Sequence, residues 1–187
     1  MSALRVLAET LERLDFEFLV GGSLASSAHG VLRATLDVDL VIRIHPRQVK
    51  TLADALGPDW YADVEQAREL ISRGRAFNII HRATGLKFDL FPAYQDFHDA
   101  QLQRAQLQPI HFEGEPVTCP VSTAEDILLA KLRWYADGGE VSERQWRDIF
   151  GILATNSKLD FEYINLWAAR LGVSRLLAKA LSEQAAG

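Results

Sequence analysis

Two aspartates, Asp37 and Asp39, open the segment Asp-Val-Asp-Leu-Val-Ile, and no other stretch limits the possible folds of this chain so tightly. Leu40-Val41-Ile42 has the apolar, β-branched character of a buried strand, and in a strand residues two apart point to one face, about 6.6–6.8 Å apart. Asp37 and Asp39 are therefore expected side by side. Acid-x-acid pairs occur five times in the chain, so the spacing alone proves nothing; the apolar continuation sets this pair apart. Carboxylates inside such a strand are expected to be costly to desolvate unless a positive group meets them. An EF-hand is excluded, because the same run lacks the oxygen ligands and the glycine of a calcium loop.

A third acid repeats the pattern. Lys87-Phe88-Asp89-Leu90-Phe91 places Asp89 among apolar neighbours in another expected strand, and adjacent strands lie about 4.8 Å apart. Three carboxylates that converge suit a hard divalent cation, and magnesium shares its shell with water and substrate phosphates. Upstream, Gly21-Gly22-Ser23 follows the short apolar run Phe16–Val20. Glycines there let backbone N–H groups face outward, Ser23 adds a hydroxyl, and a following helix adds its positive end, which together suit phosphate.

The rest of the chain divides in two. Leu4, Leu7, Leu11 and Leu14 repeat at helical spacing among charged residues, which predicts a helix over 3–14 and not a signal peptide. Strands are expected at 16–20, 37–44, 76–82 and 86–91, with further strand-like stretches on both sides of Gly114. Helices are expected from about 23 to Gly30, from Pro46 to Leu56 and over 64–73. Beyond Pro120 the pattern becomes helical throughout, with capping-box spacing at Ser122/Glu125 and Ser142/Gln145. At 187 residues and 48% hydrophobic the chain can bury a good core, and a net charge of −5 argues against a surface that grips nucleic acid everywhere. A single cysteine, Cys119, excludes an internal disulfide and fits a reducing cytoplasm; no apolar run is long enough for a membrane span.

Gly22-Ser23, a gap, Asp37-x-Asp39 in a strand and a lone Asp89 in a later strand resemble the nucleotidyltransferase superfamily of DNA polymerase beta. Arg33-x-Thr35-x-Asp37 is similar to the approach in small bacterial members. Ile-Leu-Leu-Ala-Lys131-Leu and Arg147-Asp148-Ile149 look like the helical motifs of the AbiEii-type branch, although that branch tends to carry a second acid where this chain has Gly151. The resemblance implies an α/β protein: a nucleotidyltransferase fold with a small mixed β-sheet flanked by helices over residues 1–118, and a helical C-terminal subdomain over 119–187. It also implies two Mg2+ ions held by Asp37, Asp39 and Asp89, with Asp89 on the catalytic ion. Gly22, Ser23, Arg33 and Lys131 would bind the NTP. The activity implied is transfer of an NMP to an acceptor hydroxyl with release of pyrophosphate, the acceptor being a tRNA, a protein or a small molecule. A toxin role would add a cognate antitoxin as partner.

Other readings compete residue by residue. Lys131 falls inside the apolar stripe Ala124, Ile127, Leu128, where it either snorkels or reaches a phosphate with Asp148 orienting it; Asp148 is alternatively an i,i+4 partner of Arg144. Arg33 could merely cap the helix before it. The five histidines show no metal-ligand spacing. Gly21-x-Ser23-x-Ala25 is also similar to a nucleophile elbow, which would make Ser23 the nucleophile of a hydrolase, but that leaves Asp37 and Asp39 unexplained. A catalytically silent nucleotide-binding partner subunit is the remaining alternative.

Overall fold

In the computed structural model, which describes residues 2–29, 37–112, 114 and 116–186, the leucines of the N-terminal helix are fully buried, while Leu14, just past its end, is half-buried. That helix, α1 (Ala3–Arg13), starts on Ser2, whose side chain accepts the Arg5 N–H, and ends where Asp15 turns into the left-handed region with φ 57°. Leu4, Leu7 and Leu11 are sealed from solvent. Chain reversal at Asp15 delivers Phe16 to the start of β1 (Phe18–Val20).

The short helix α2 (Gly22–Ala28) begins at Gly22, so Gly22 and Ser23 lie in its first turn and not in a turn before it. Strand β2 (Asp37–Ile42) follows, then a 3-10 turn at Pro46–Gln48 capped by His45 and continued by α3 (Val49–Leu56). A two-residue strand β3 (Trp60–Tyr61), α4 (Val64–Ser72), β4 (Phe77–His81) and β5 (Leu86–Pro92) come next. After α5 (Asp96–Arg104), β6 (Gln106–Ile110) and β7 (Val117–Val121) supply the strands expected beside Gly114. The strands form one mixed seven-stranded sheet in the order β3-β4-β5-β2-β1-β7-β6. Its middle is β2, parallel to β5 and antiparallel to β1.

Two elements escaped the sequence reading for physical reasons. β3 is too short to show any period. α5 carries Asp-Phe-His-Asp-Ala-Gln-Leu-Gln-Arg, buries only Phe97 and Gln101, and has no side-chain cap, so neither an apolar stripe nor a start signal announces it.

Beyond β7 the chain is helical: α6 (Ala124–Asp137), α7 (Glu143–Thr155), α8 (Phe161–Arg170) and α9 (Ser174–Ala186). Thr123, not Ser122, caps α6: its hydroxyl accepts the Asp126 N–H at 3.3 Å and donates to Asp126 Oδ2 at 3.0 Å. The capping-box spacing sat one residue early because Ser122 still continues the sheet, donating its N–H to Val20 O at 2.9 Å. Ser142 caps α7 as expected, accepting from Gln145 N. The described residues fall into two compact units, one holding residues 2–24 with 37–122 and the other 25–29 with 123–186. The second is closed by Ile127, Leu128, Leu132, Ile149, Ile152, Ile164 and Leu177, all nearly or fully buried. Among the described residues no helix is long and apolar enough to cross a membrane.

Candidate functional site

Strand alternation sorts the acids from the core. Val38, Leu40 and Ile42 of β2 and Phe88 and Leu90 of β5 point to one face and are completely buried. Asp37, Asp39, Lys87 and Asp89 point to the other. This corrects one expectation: the carboxylates do not lie in a dry strand. The apolar run is continuous because Val41 and Phe91, which share the acids' face, are half-buried while their neighbours fill the core. Asp37 is 57% exposed and Asp89 23%, so water offsets much of the desolvation cost that buried acids would carry.

Register then brings the acids together. In the parallel pairing of β2 with β5, Asp39 stands opposite Asp89 and Asp37 opposite Lys87. The antiparallel pairing of β4 with β5 sets Asn78 on the other side of Asp89. Neighbouring strands are about 4.8 Å apart, so Asn78, Asp89 and Asp39 form one row across the sheet.

The glycines close the row. Gly21 donates its N–H to Asp39 O at 2.9 Å, which extends the β1–β2 ladder by one residue. Gly22 adopts φ 57°, a left-handed conformation that favours glycine. A Cβ built on Gly22 would stand 1.8 Å from Asp39 Oδ2 and 2.8 Å from Asp39 Cβ. Only a residue without a side chain lets the start of α2 come so close to that carboxylate.

The positive group sought for the acids is Lys87, which the sequence reading quoted but gave no role. Its ammonium lies 2.9 Å from Asp89 Oδ2 and 3.7 Å from Asp37 Oδ1. The hydrogen bond to Asp89 and the charges of Asp89 and Asp37 raise its pKa above the ordinary lysine value, against the burial that opposes them. The signal was in the sequence: Lys87 precedes Asp89 by two, the same period that aligned Asp37 with Asp39. Among the described residues no group of three or more His, Cys, Asp or Glu is arranged to hold a metal ion. The oxygen donors on one face nevertheless suit a hard divalent cation, and the stand-in cation among them is the ammonium of Lys87. Arg33 lies outside the described residues.

Lys131 is placed in the helical unit. It is buried, and its Nζ donates to Asp148 Oδ2 at 2.9 Å, joining α6 to α7. This pair answers the charge on the apolar stripe. The side chains of Lys131 and Asp148 are only 6% and 13% exposed, so removing the lysine takes a close cation from a carboxylate that little water reaches. Lys131→Met should therefore lower unfolding stability by about 2–4 kcal/mol, and Lys131→Met/Asp148→Leu should recover most of it, since replacing a whole buried pair by apolar groups is close to neutral. Urea unfolding of the three proteins checks this.

Ser23 sits beside Gly22 in the first turn of α2, directly after β1. No family profile matches the chain, and no curated protein is similar to it in sequence. Solved structures are similar in fold. The solution structure of the antibiotic-resistance factor ANT(2'')-Ia matches with a TM-score of 0.51 at 14% identity, covering 96% of this chain and 93% of that one. Its crystal structure in complex with adenylyl-2''-tobramycin matches at 0.52 and 14% identity, over 90% and 94%. An antigenic nucleotidyltransferase-like protein from Paracoccidioides brasiliensis matches at 0.53 and 18% identity, over 97% and 94%. With its mixed seven-stranded sheet and flanking helices, the chain has the fold of these nucleotidyltransferase structures.

Proposed function

We propose that this chain is a metal-dependent nucleotidyltransferase that moves an NMP from an NTP to an acceptor hydroxyl and releases pyrophosphate. One observation carries the reading: the β2–β5 register aligns Asp39 with Asp89 and keeps Asp37 on their face, while Gly22 presses against the Asp39 carboxylate. Asp37, Asp39 and Asp89 would hold magnesium, which when bound supplies charge neutralisation at the α-phosphate and a lowered pKa for the attacking hydroxyl. The chain's own residues then have distinct duties. Gly22 keeps the backbone close to the acids, so that its N–H and that of Ser23 can take phosphate oxygens beside the metal ligands. The Ser23 hydroxyl adds one further hydrogen bond, worth about 0.5–1.5 kcal/mol net. Asp89 is the carboxylate whose loss should harm chemistry more than nucleotide affinity.

The acceptor is open to test. One solved structure of the same fold holds an adenylylated aminoglycoside, which makes a small polyhydroxylated molecule the first acceptor to try, beside tRNA and protein. Incubating the protein with each labelled NTP, Mg2+ and these three acceptor classes should label one class and release pyrophosphate in equal amount. Nucleotide binding with no pyrophosphate release under any acceptor would favour a silent partner subunit. Labelling of Ser23 by an organophosphate would favour a hydrolase. Lys131 as a phosphate ligand is tested on the folded Lys131→Met/Asp148→Leu protein, whose MgATP dissociation constant should rise about tenfold, a loss of roughly 1.4 kcal/mol.

A further inference from the structure

We propose that the Lys87 ammonium is a built-in counter-ion of the Asp37–Asp39–Asp89 face, which a divalent cation must displace in order to bind there. The inference rests on the nucleotidyltransferase reading of that face. Three features point to displacement and not to a fixed structural pair. The Lys87 ammonium lies 2.9 Å from Asp89 Oδ2 and 3.7 Å from Asp37 Oδ1, both of them on proposed ligands. Its side chain is 39% exposed, so the flexible stem can carry the head into water without opening the core. Among the described residues no group of three or more His, Cys, Asp or Glu is already arranged to hold a metal ion, so the carboxylates must rearrange for one to bind.

Charge explains what the arrangement achieves. Among the described residues Lys87 sets one positive charge against the carboxylates of Asp37 and Asp89, which relieves like-charge repulsion between the strands. An incoming divalent ion meets a cation a few ångströms away, and near a protein surface such a repulsion is large enough to change a dissociation constant about tenfold. Free metal should therefore bind poorly. A metal arriving on a polyphosphate should bind better, because phosphate oxygens give the displaced ammonium a new anionic partner. Lys87 would then make loading of the metal depend on the nucleotide that brings it.

Titration of Mn2+ without nucleotide, followed by electron paramagnetic resonance, tests the idea on four full-length proteins: wild type, Lys87→Met, Lys87→Arg and Asp39→Asn. Lys87→Met should bind Mn2+ about tenfold more tightly than wild type, and Lys87→Arg, which keeps the charge, should stay within about threefold of it. In EDTA the melting temperature of Lys87→Met should fall below that of wild type, and Mn2+ should restore it. Wild-type affinity that depends on Asp39 but does not tighten in Lys87→Met overturns the counter-ion role alone. Wild-type affinity that is untouched by Asp39→Asn overturns the metal site itself, and the counter-ion role with it.

Discussion

Gly22→Ala should lower kcat/KM for nucleotidyl transfer by about a thousandfold, or about 4 kcal/mol of transition-state stabilisation. Two effects combine at this one methyl group. Alanine at φ 57° costs about 1–2 kcal/mol relative to glycine, because the left-handed region crowds Cβ. The new Cβ also falls 1.8 Å from Asp39 Oδ2, 2.6 Å from Cγ and 2.8 Å from Cβ. Turning the carboxylate away relieves the first two contacts but not the third. The backbone of α2 must then retreat from β2, taking the Gly22 and Ser23 N–H groups with it, or Asp39 must leave its row with Asp89. Either movement separates the proposed phosphate holder from the proposed metal ligands. Pyrophosphate release and thermal melting measured together check this: activity should vanish while the melting temperature falls by only a few degrees. Ser23→Ala, which removes one hydroxyl and no backbone donor, should lose about tenfold at most. Near-normal turnover in Gly22→Ala would show that the close approach is incidental.

Asp39→Ala should abolish transfer as fully and yet leave the fold as stable as wild type, or slightly more stable. Asp39 lies on the half-exposed face, in one row with Asp89 and two residues from Asp37, so its loss relieves repulsion among like charges and opens no cavity in the core. Its side chain is also the wall that a Cβ at Gly22 would strike. The double variant Gly22→Ala/Asp39→Ala should therefore be more stable than Gly22→Ala alone, with a coupling of about 1–2 kcal/mol in the cycle. A melting series on the four proteins, run in EDTA, reads that coupling directly. Full activity in Asp39→Ala would remove the metal-site reading, since Asp39 is the carboxylate with both an aligned acid across the strand pair and the glycine turn at its back.

Much of the candidate site was legible in the sequence because period two is a local property. Asp37 and Asp39 had to share a face, Asp89 had to share one with Lys87, and positions alternating with them had to face the other way, whatever lay around them. Leu4, Leu7 and Leu11 declared a buried helix face for the same reason, at period 3.6. Local rules also found Ser142 as a cap, but placed the α6 cap on Ser122, where the last hydrogen bond of the sheet displaced it by one residue to Thr123. The sequence by itself thus determined which residues share a face within β2, within β5 and within α1. It could not determine which face of β2 meets water, because an apolar run broken only by two acids is compatible with burial on both faces. Only the tertiary structure decided that, by packing Val38, Leu40 and Ile42 into the core and leaving the acids outside it. Register was likewise beyond the sequence: whether Asp39 aligns with Asp89 or slips by two residues depends on hydrogen bonds between strands some 50 residues apart in the chain. The pairing of Lys131 with Asp148 and the fit of Gly22 to Asp39 have the same origin, since two side chains distant in sequence meet only when the packing of whole elements fixes the distance between them.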